Sequence, residues 1–445
     1  MSEGKKKMAI IASKGTLDMA YPPRKFLLIF LVAMFVFSLS GLSSATNGDN
    51  LISIGPISRA MGGVGIAAPQ DAISAVFANP AAMCFGPYCP GSEFNFGGTI
   101  FMPNAHTRIT MSGYGLDTGT KKSDSDLFLI PAIGISSPIT QNLRFGLAAY
   151  GVSGLGVDYR EKFDLDPATP GSQAVYTNLQ IMKFAPNLAY MITPNFSIGA
   201  AIHINYGALD LGDGTSSGYS LGGQIGAIYK NGPISVGAVY ITPQKINHKN
   251  VANFDEPYGS TTMDDLKLES PQTVGFGVAV EPVQNVLLIE TNVKWLNWAD
   301  ADGYKDFDWE NQWVYNLGVQ YKPVPKLALR AGYVYGKNPI KDHSGWNDFT
   351  SPMGVEVQGK SVPHTNYEIL RISGFPAIVE NHVTAGIGYQ LTKSVSIDLG
   401  YMHAFKKTMK ETGTVFNPSA GFTSPITIES SLEEDSIDFG ITWRF

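Results

Sequence analysis

Apolar and polar residues alternate one by one along most of this chain. The last ten residues do so without a break. Ile437, Phe439, Ile441, Trp443 and Phe445 form one set, and Ser436, Asp438, Gly440, Thr442 and Arg444 the other. A period of two places each set on one face of a β-strand. Elsewhere Phe196, Ile198, Ile202, Ile204 and Tyr206 oppose Ser197, Gly199, His203 and Asn205. Leu287, Ile289, Val293 and Trp295 oppose Glu290, Asn292 and Lys294. Leu327, Leu329, Tyr333 and Tyr335 oppose Arg330 and Gly332, and Val395, Ile397, Leu399, Tyr401 and Phe405 oppose Ser396, Asp398 and Gly400. A charge in the middle of a polar face suits a wet or plugged lumen, and terminal aromatics suit the girdle where an apolar band meets water.

The connectors sort into two kinds. Short ones at 138–142, 193–195, 230–233, 281–285, 322–325 and 391–393 are rich in Pro, Asn and Gly, as tight turns are. Long ones fall at 105–126, 153–174, 207–217, 246–269, 299–311, 338–380 and 406–433. Strict interleaving of the two predicts an all-β fold, a 14-stranded antiparallel transmembrane barrel with both ends on the short-turn side. A soluble sandwich has no reason to sort its loops this way.

Composition agrees. Charged residues make up 16% of the chain, below the ~25% of ordinary soluble domains. The chain is rich in glycine (48), phenylalanine (24) and tyrosine (20). A net charge of −6 gives no basic footprint for nucleic acid. Arg24 and Lys25 precede an apolar run from Phe26 to Leu39, and Ser43-Ser44-Ala45 follows. This predicts a secretory signal over 1–45, with Met19 a candidate true start. The run is shorter than the ~20 residues of a spanning helix. Cys84 and Cys89 would then meet an oxidising space, where a local disulfide is expected. The seven histidines show no paired spacing, so no metal and no cofactor is expected.

Residues 46–91 lack sustained alternation and are rich in small residues. A barrel of this width is too wide for its own side chains to fill, so this segment is the expected plug, and 92–445 the barrel. Within it, Gly62-Gly63, Ala67-Ala68, Asp71, Ser74-Ala75 and Asn79-Pro80-Ala81 resemble the hatch of the FadL/TodX outer-membrane transporters. The family usually has Gly after Asn-Pro-Ala, where this chain has Ala82.

The resemblance implies passive uptake of long-chain fatty acids or aromatic or aliphatic hydrocarbons. The hatch shifts and the ligand leaves sideways through the wall, at an inward kink of the third strand. Gly62, Gly63, Asp71 and Ser74 are the expected hatch motif and Asn79, Pro80 and Ala81 the expected gate; a helix end is the plainer reading of that tripeptide. Gly151, Gly154 and Gly156 are the kink candidates, though glycine there also serves close packing. The expected lumen charges are Arg144, Glu290, Lys294, Arg330, Asp398, Asp438 and Arg444, with Arg59 and Asp71 as their hatch partners. The partners implied are a hydrophobic small molecule, outer-membrane lipid, and the barrel assembly machinery reading Phe445, for a monomer in the outer membrane of a Gram-negative-type bacterium.

Other patterns carry less. Gly218-Tyr-Ser-Leu-Gly222 spells a nucleophile elbow around Ser220, but the chain continues as a strand rather than a helix. Gly63 to Ala68 spells a dinucleotide fingerprint with no strand before it. Glu433-Glu434-Asp435 reads as a solvated loop end. Trp295, Trp298, Trp309 and Trp313 read as an outer aromatic girdle, and Trp346, Phe349 and Pro352 as loop residues for ligand capture. An open porin for polar solutes and an outer-membrane lipid hydrolase are the competing functions.

Overall fold

The computed structural model describes residues 48–160, 162, 175–254, 261–348, 354–417 and 421–445. The signal expected over 1–45 lies outside them, as do Phe349 and Pro352.

Fourteen antiparallel strands close into a barrel. In chain order they are β1 (Glu93–Pro103), β2 (Phe128–Pro138), β3 (Leu143–Asp158), β4 (Tyr176–Thr193) and β5 (Phe196–Asp210). Then come β6 (Thr215–Asn231), β7 (Ile234–Ile241), β8 (Thr273–Val283), β9 (Leu287–Leu296) and β10 (Gln312–Val324). The last are β11 (Leu327–Gly336), β12 (Asn381–Gln390), β13 (Val395–Asn417) and β14 (Phe422–Arg444). Each pairs with its sequence neighbours, and β1 pairs with β14 from Glu93↔Arg444 to Pro103↔Glu434. Closure leaves no edge strand, as a sheet in lipid requires.

The alternation read from the sequence is the alternation of faces. Ile198, Ile202, Ile441 and Trp443 are exposed outward, while Ser197, His203, Asn205 and Asp438 are buried inward. All six short turns stand where Pro, Asn and Gly placed them. The long connectors differ. Of 207–217 only 211–214 is turn, joining β5 to β6, and 246–269 holds most of a hairpin of Gln244–Ala252 with Asp264–Ser270. The loop expected over 406–433 is mostly strand, because β13 and β14 each run on for 23 residues. A strand that long spans ~75 Å, far beyond the ~25 Å apolar band. Its outer half therefore needs no apolar face and reads as loop.

That extension also corrects the acidic triplet. Glu433, Glu434 and Asp435 lie inside β14, and Glu434 is buried and points inward. The tryptophans divide as well. Trp313 faces outward, whereas Trp298 and Trp309 are buried with Tyr304 in one aromatic cluster, rings 4.6–5.1 Å apart. Those two hold loop structure rather than a girdle. Trp346 is buried against His364, ring centroids 4.8 Å apart.

Candidate functional site

The described part of the N-terminal segment, from Gly48 onward, fills the lumen. From Gly48 to Gly86 no residue is exposed. Two short helices, α1 (Pro56–Ala60) and α2 (Ala72–Ala78), are joined by a tight loop and followed by a 3₁₀ turn from Pro80 to Phe85. Gly62 makes the turn after α1 with a φ of 65°, and a Cβ there would stand 2.7 Å from Leu317 O on the wall. A side chain would thus be strained and in collision at once. The Gly62 amide donates to Thr384 Oγ1 and its carbonyl accepts from Asn316 Nδ2.

The inward charges grip this segment. Arg59 Nε donates to Asp438 Oδ1 at 2.7 Å, with both side chains 1% exposed. Its Nη2 reaches Ser436 Oγ at 2.7 Å. Glu290 Oε1 accepts from the amides of Gly65 (3.0 Å) and Ala67 (2.8 Å). Arg144 Nη2 donates to Gly91 O at 2.8 Å, and Lys294 Nζ to Ile52 O at 3.5 Å. Arg444 binds Glu93, whose other oxygen accepts from the Ala72 amide at α2's start. Arg330 binds Asp398 at 2.7 Å. A buried charge needs such partners, and removing one leaves the other stranded.

Two expectations need correction. Asp71 does not pair with a cation; it caps α2, accepting from the Ser74 amide at 2.8 Å and from the Ser74 hydroxyl. Cys84 and Cys89 are free thiols, because Cys84 is buried in the 3₁₀ turn while Cys89 Sγ turns to Met83 O at 3.2 Å. Ser220 sits in β6 and accepts from Asn205 Nδ2, with no helix following it.

Asn79 ends α2 and begins the 3₁₀ turn. Its Nδ2 donates to Ile66 O (2.8 Å) and to Ala227 O on the wall (3.1 Å), and its Oδ1 accepts from the Ala81 amide (3.1 Å). The wall is cut away for it: a Cβ on Gly226 would stand 2.0 Å from Asn79 Oδ1, and one on Gly199 2.4 Å from Ala81 N. The Asn-Pro-Ala segment thus seats directly on β5 and β6.

One wall seam is incomplete. β2 and β3 pair from Pro138↔Arg144 up to Ala132↔Tyr150 and then stop, although β2 stays paired with β1 to Phe128. Beyond the stop, β3 keeps β4 but with a bulge at Val152, between Gly151 and Ser153. At the fork a Cβ on Gly151 would stand 2.5 Å from Ile130 Cγ2, so a side chain there would not fit. Gly154 and Gly156 lie further along the unpaired stretch. The backbone of the N-terminal segment comes to β3 here: Leu51 N donates to Val152 O at 3.1 Å, and Asn50 bridges to Ser153. Asp49 in turn accepts from Tyr304 of the aromatic cluster. No side-chain pattern announces these backbone contacts.

A cleft occupies the gap. Phe101, Phe128, Ile130, Leu155, Ile181 and Leu432 give it an apolar lining, with Glu434 as its one carboxylate and Pro376 at its edge. Leu51 belongs both to this cleft and to a second, lined by Ile66, Phe77, Val239, Lys183 and Lys294.

Over the lumen, the loop after β11 carries α3 (His364–Ile369). Arg371, fully buried, binds Glu368 (2.8 Å) and Glu411 (2.5 Å). His343 sits between Glu368 (3.0 Å) and Asp308 (2.9 Å). The Glu368 hydrogen bond raises the His343 pKa above its ordinary value, against burial. Burial alone would raise Glu368, but hydrogen bonds from His343 and His364 and the Arg371 charge hold it at about 2. Pro376, just past Arg371, connects this cover to the cleft.

A closed lipid-facing barrel, filled by its own N-terminal segment and open at one seam, defines a plugged transport barrel of the outer membrane. Residues 40–255 match the family described as "Outer membrane protein transport protein (OMPP1/FadL/TodX)". That match spans a little under half of the chain and is a likeness to the FadL/TodX family. Among solved structures it is similar to the Pseudomonas putida toluene transporter TodX at 17% identity and TM-score 0.60, over 89% of this chain and 99% of that one. It is similar to a Pseudomonas aeruginosa FadL homologue at 14% identity and TM-score 0.62, over 90% and 99%. For the Ralstonia pickettii toluene transporter TbuX the values are 15% and 0.59, over 90% and 99%. These likenesses show the fold. No curated protein matches the sequence.

Proposed function

We propose that this protein takes up hydrophobic small molecules, fatty acids or hydrocarbons, passively across the outer membrane. The ligand reaches the cleft from the outer loops, the hatch over 46–91 shifts, and the ligand leaves sideways between β2 and β3. The observation that carries this reading is the seam that stops at Ala132↔Tyr150, with an apolar cleft in the gap. An apolar ligand gains ~0.8 kcal/mol per methylene it keeps out of water, so a lateral route into lipid favours it where a wet pore does not. Leu127 and Leu129, both exposed on the outside beside the gap, extend the apolar path to the bilayer. The contact of Asp49 to Leu51 with the β3 bulge supports a link between the hatch and the exit. The structural relatives named as toluene transporters support the hydrocarbon arm, and the one named as a FadL homologue is in keeping with the fatty-acid arm. We read the chain as a monomer with no catalytic role, delivered by a signal over 1–45 and recognised at Phe445 by the assembly machinery.

Filling the cleft tests this. Gly154 lines it, and a Cβ there meets only Leu179 O, at 3.4 Å. Cells carrying Gly154→Trp should lose uptake of labelled hydrocarbon or fatty acid, while the purified barrel keeps its fold and stays non-conducting in planar bilayers. Undiminished uptake, or a large ohmic conductance in the unmutated protein, would count against the lateral route and for an open porin.

A further inference from the structure

On the inner face of β14, Glu434, Ser436 and Asp438 follow one another at the strand period, all nine-tenths or more buried. The hatch serves two of them. Arg59 binds Asp438 and Ser436, both at 2.7 Å, and Thr99 also donates to Asp438. Glu434 is left over. It is 4% exposed, and its Oε2 makes no hydrogen bond among the described residues. Its nearest basic atom is His382 Nε2 at 4.0 Å, too far for a hydrogen bond, and both ring nitrogens of His382 are themselves unmatched. Yet Glu434 lines the cleft in the wall, among Phe101, Phe128, Ile130, Leu155 and Leu432. The other polar side chains there do not compete for a ligand's donor in the same way. Gln180 is exposed, with its Nε2 donating to Asn178 Oδ1, and Ser153 Oγ, also buried and unmatched, is a neutral hydroxyl and a weaker acceptor than a carboxyl.

A buried carboxyl oxygen without a donor is expensive, and an apolar residue of similar size would be cheaper at that position. Its place in the lining of an apolar cleft gives it a use. We propose that Glu434 is the specificity residue of the cleft, and that it selects neutral apolar ligands carrying one hydroxyl donor, phenols and alkanols, over plain hydrocarbons. The hydroxyl donates to Glu434 while the ring or chain lies on the apolar lining. A site built around such a bond discriminates strongly against the analogue that lacks the donor, because its own polar atom is then left unmatched. This rests on the lateral-exit reading of the cleft and names the ligand class within it.

The test compares 4-methylphenol with p-xylene, which differ by hydroxyl against methyl, in equilibrium binding to the purified barrel. The ratio of their affinities, taken in wild type and in Glu434→Leu, cancels the difference in their hydrophobicity. A hydrogen bond to a carboxylate predicts that this ratio falls by about tenfold to a hundredfold in Glu434→Leu. Glu434→Gln, which keeps an acceptor, should retain most of it. Wild type alone gives a second reading that does not depend on a variant folding: 4-methylanisole keeps the oxygen without the donor and should bind about tenfold more weakly than 4-methylphenol. Equal binding of that pair, or a ratio unchanged by Glu434→Leu, overturns the assignment of Glu434. Binding of none of the three probes to wild type overturns the cleft as a ligand site, and the assignment with it.

Discussion

The seam between β1 and β14 joins the two ends of the barrel, and the seam between β2 and β3 joins near neighbours in sequence. Proximity along the chain would favour the second, yet the first is the complete one. β1 and β14 pair without interruption from Glu93↔Arg444 to Pro103↔Glu434. β2 and β3 leave a short turn together and part after Ala132↔Tyr150. The hatch separates the two seams further. At the closed seam it is held by side chains, Arg59 on Asp438 and Ser436. At the open seam it is met by backbone, Leu51 on Val152. Charge pairs in a buried site are rigid and costly to break, whereas a bulge and a few backbone bonds can rearrange at little cost. The closed seam anchors the plug, and the open seam leaves it a place to move.

Breaking the anchor should have the largest effect. Arg59→Ala strands Asp438 in the lumen, at a cost of about 3–5 kcal/mol. The expected outcome is a barrel that still assembles, with a hatch that slips and a measurable pore conductance. A non-conducting Arg59→Ala barrel would show that the anchor lies elsewhere.

The outer cover should respond to pH with a smaller effect. The pKa of His343 is raised in the fold, so its contribution is complete below its unfolded value and fades as pH rises through the folded one. Glu368 is held at about 2, so its contribution is present above its ordinary 4.5 and fades as pH falls toward 2. The cover is therefore firmest between about pH 4.5 and 6.5. Protease cleavage in the loop after β11 should be faster at about pH 8.5 than at about pH 5.5, and His343→Ala should remove the difference.

Trp346→Ala should matter least. The ring is buried on His364 rather than offered to a ligand. Its loss should raise protease sensitivity of the same loop and leave ligand affinity within about twofold, the scatter expected when no contact is lost. A larger loss of affinity would restore the capture role read from the sequence.

Much of this comparison was legible beforehand. The period of two located both faces of every strand tested, since only one face needs to be apolar. The turns were legible because Pro, Asn and Gly do the work there locally. The outer halves of β13 and β14 were not, because above the lipid neither face must be apolar and the period fades. Glu434 was misread through its acidic neighbours, although the alternation of Ser436 and Asp438, carried back one step, points it inward. Asp71 was misread as a lumen partner because a cap and an ion pair use the same side chain. The contact of Asp49 to Leu51 with β3 runs through backbone atoms, and no residue type encodes it. Gly151 was one of three kink candidates in the third strand, offered by the resemblance and by glycine's place at bends; the approach of Ile130 distinguishes it from Gly154 and Gly156.

The most direct test of the account is to remove the irregularity itself. Deleting Val152 takes out the bulge and lets β3 continue in register beside β4 and close on β2. Uptake of labelled hydrophobic ligand should be measured in cells carrying the deletion, with hydrogen exchange confirming slower exchange of β3 amides beyond Gly151. A zipped seam should abolish uptake while the barrel becomes harder to unfold. Normal uptake through a demonstrably closed seam would contradict it.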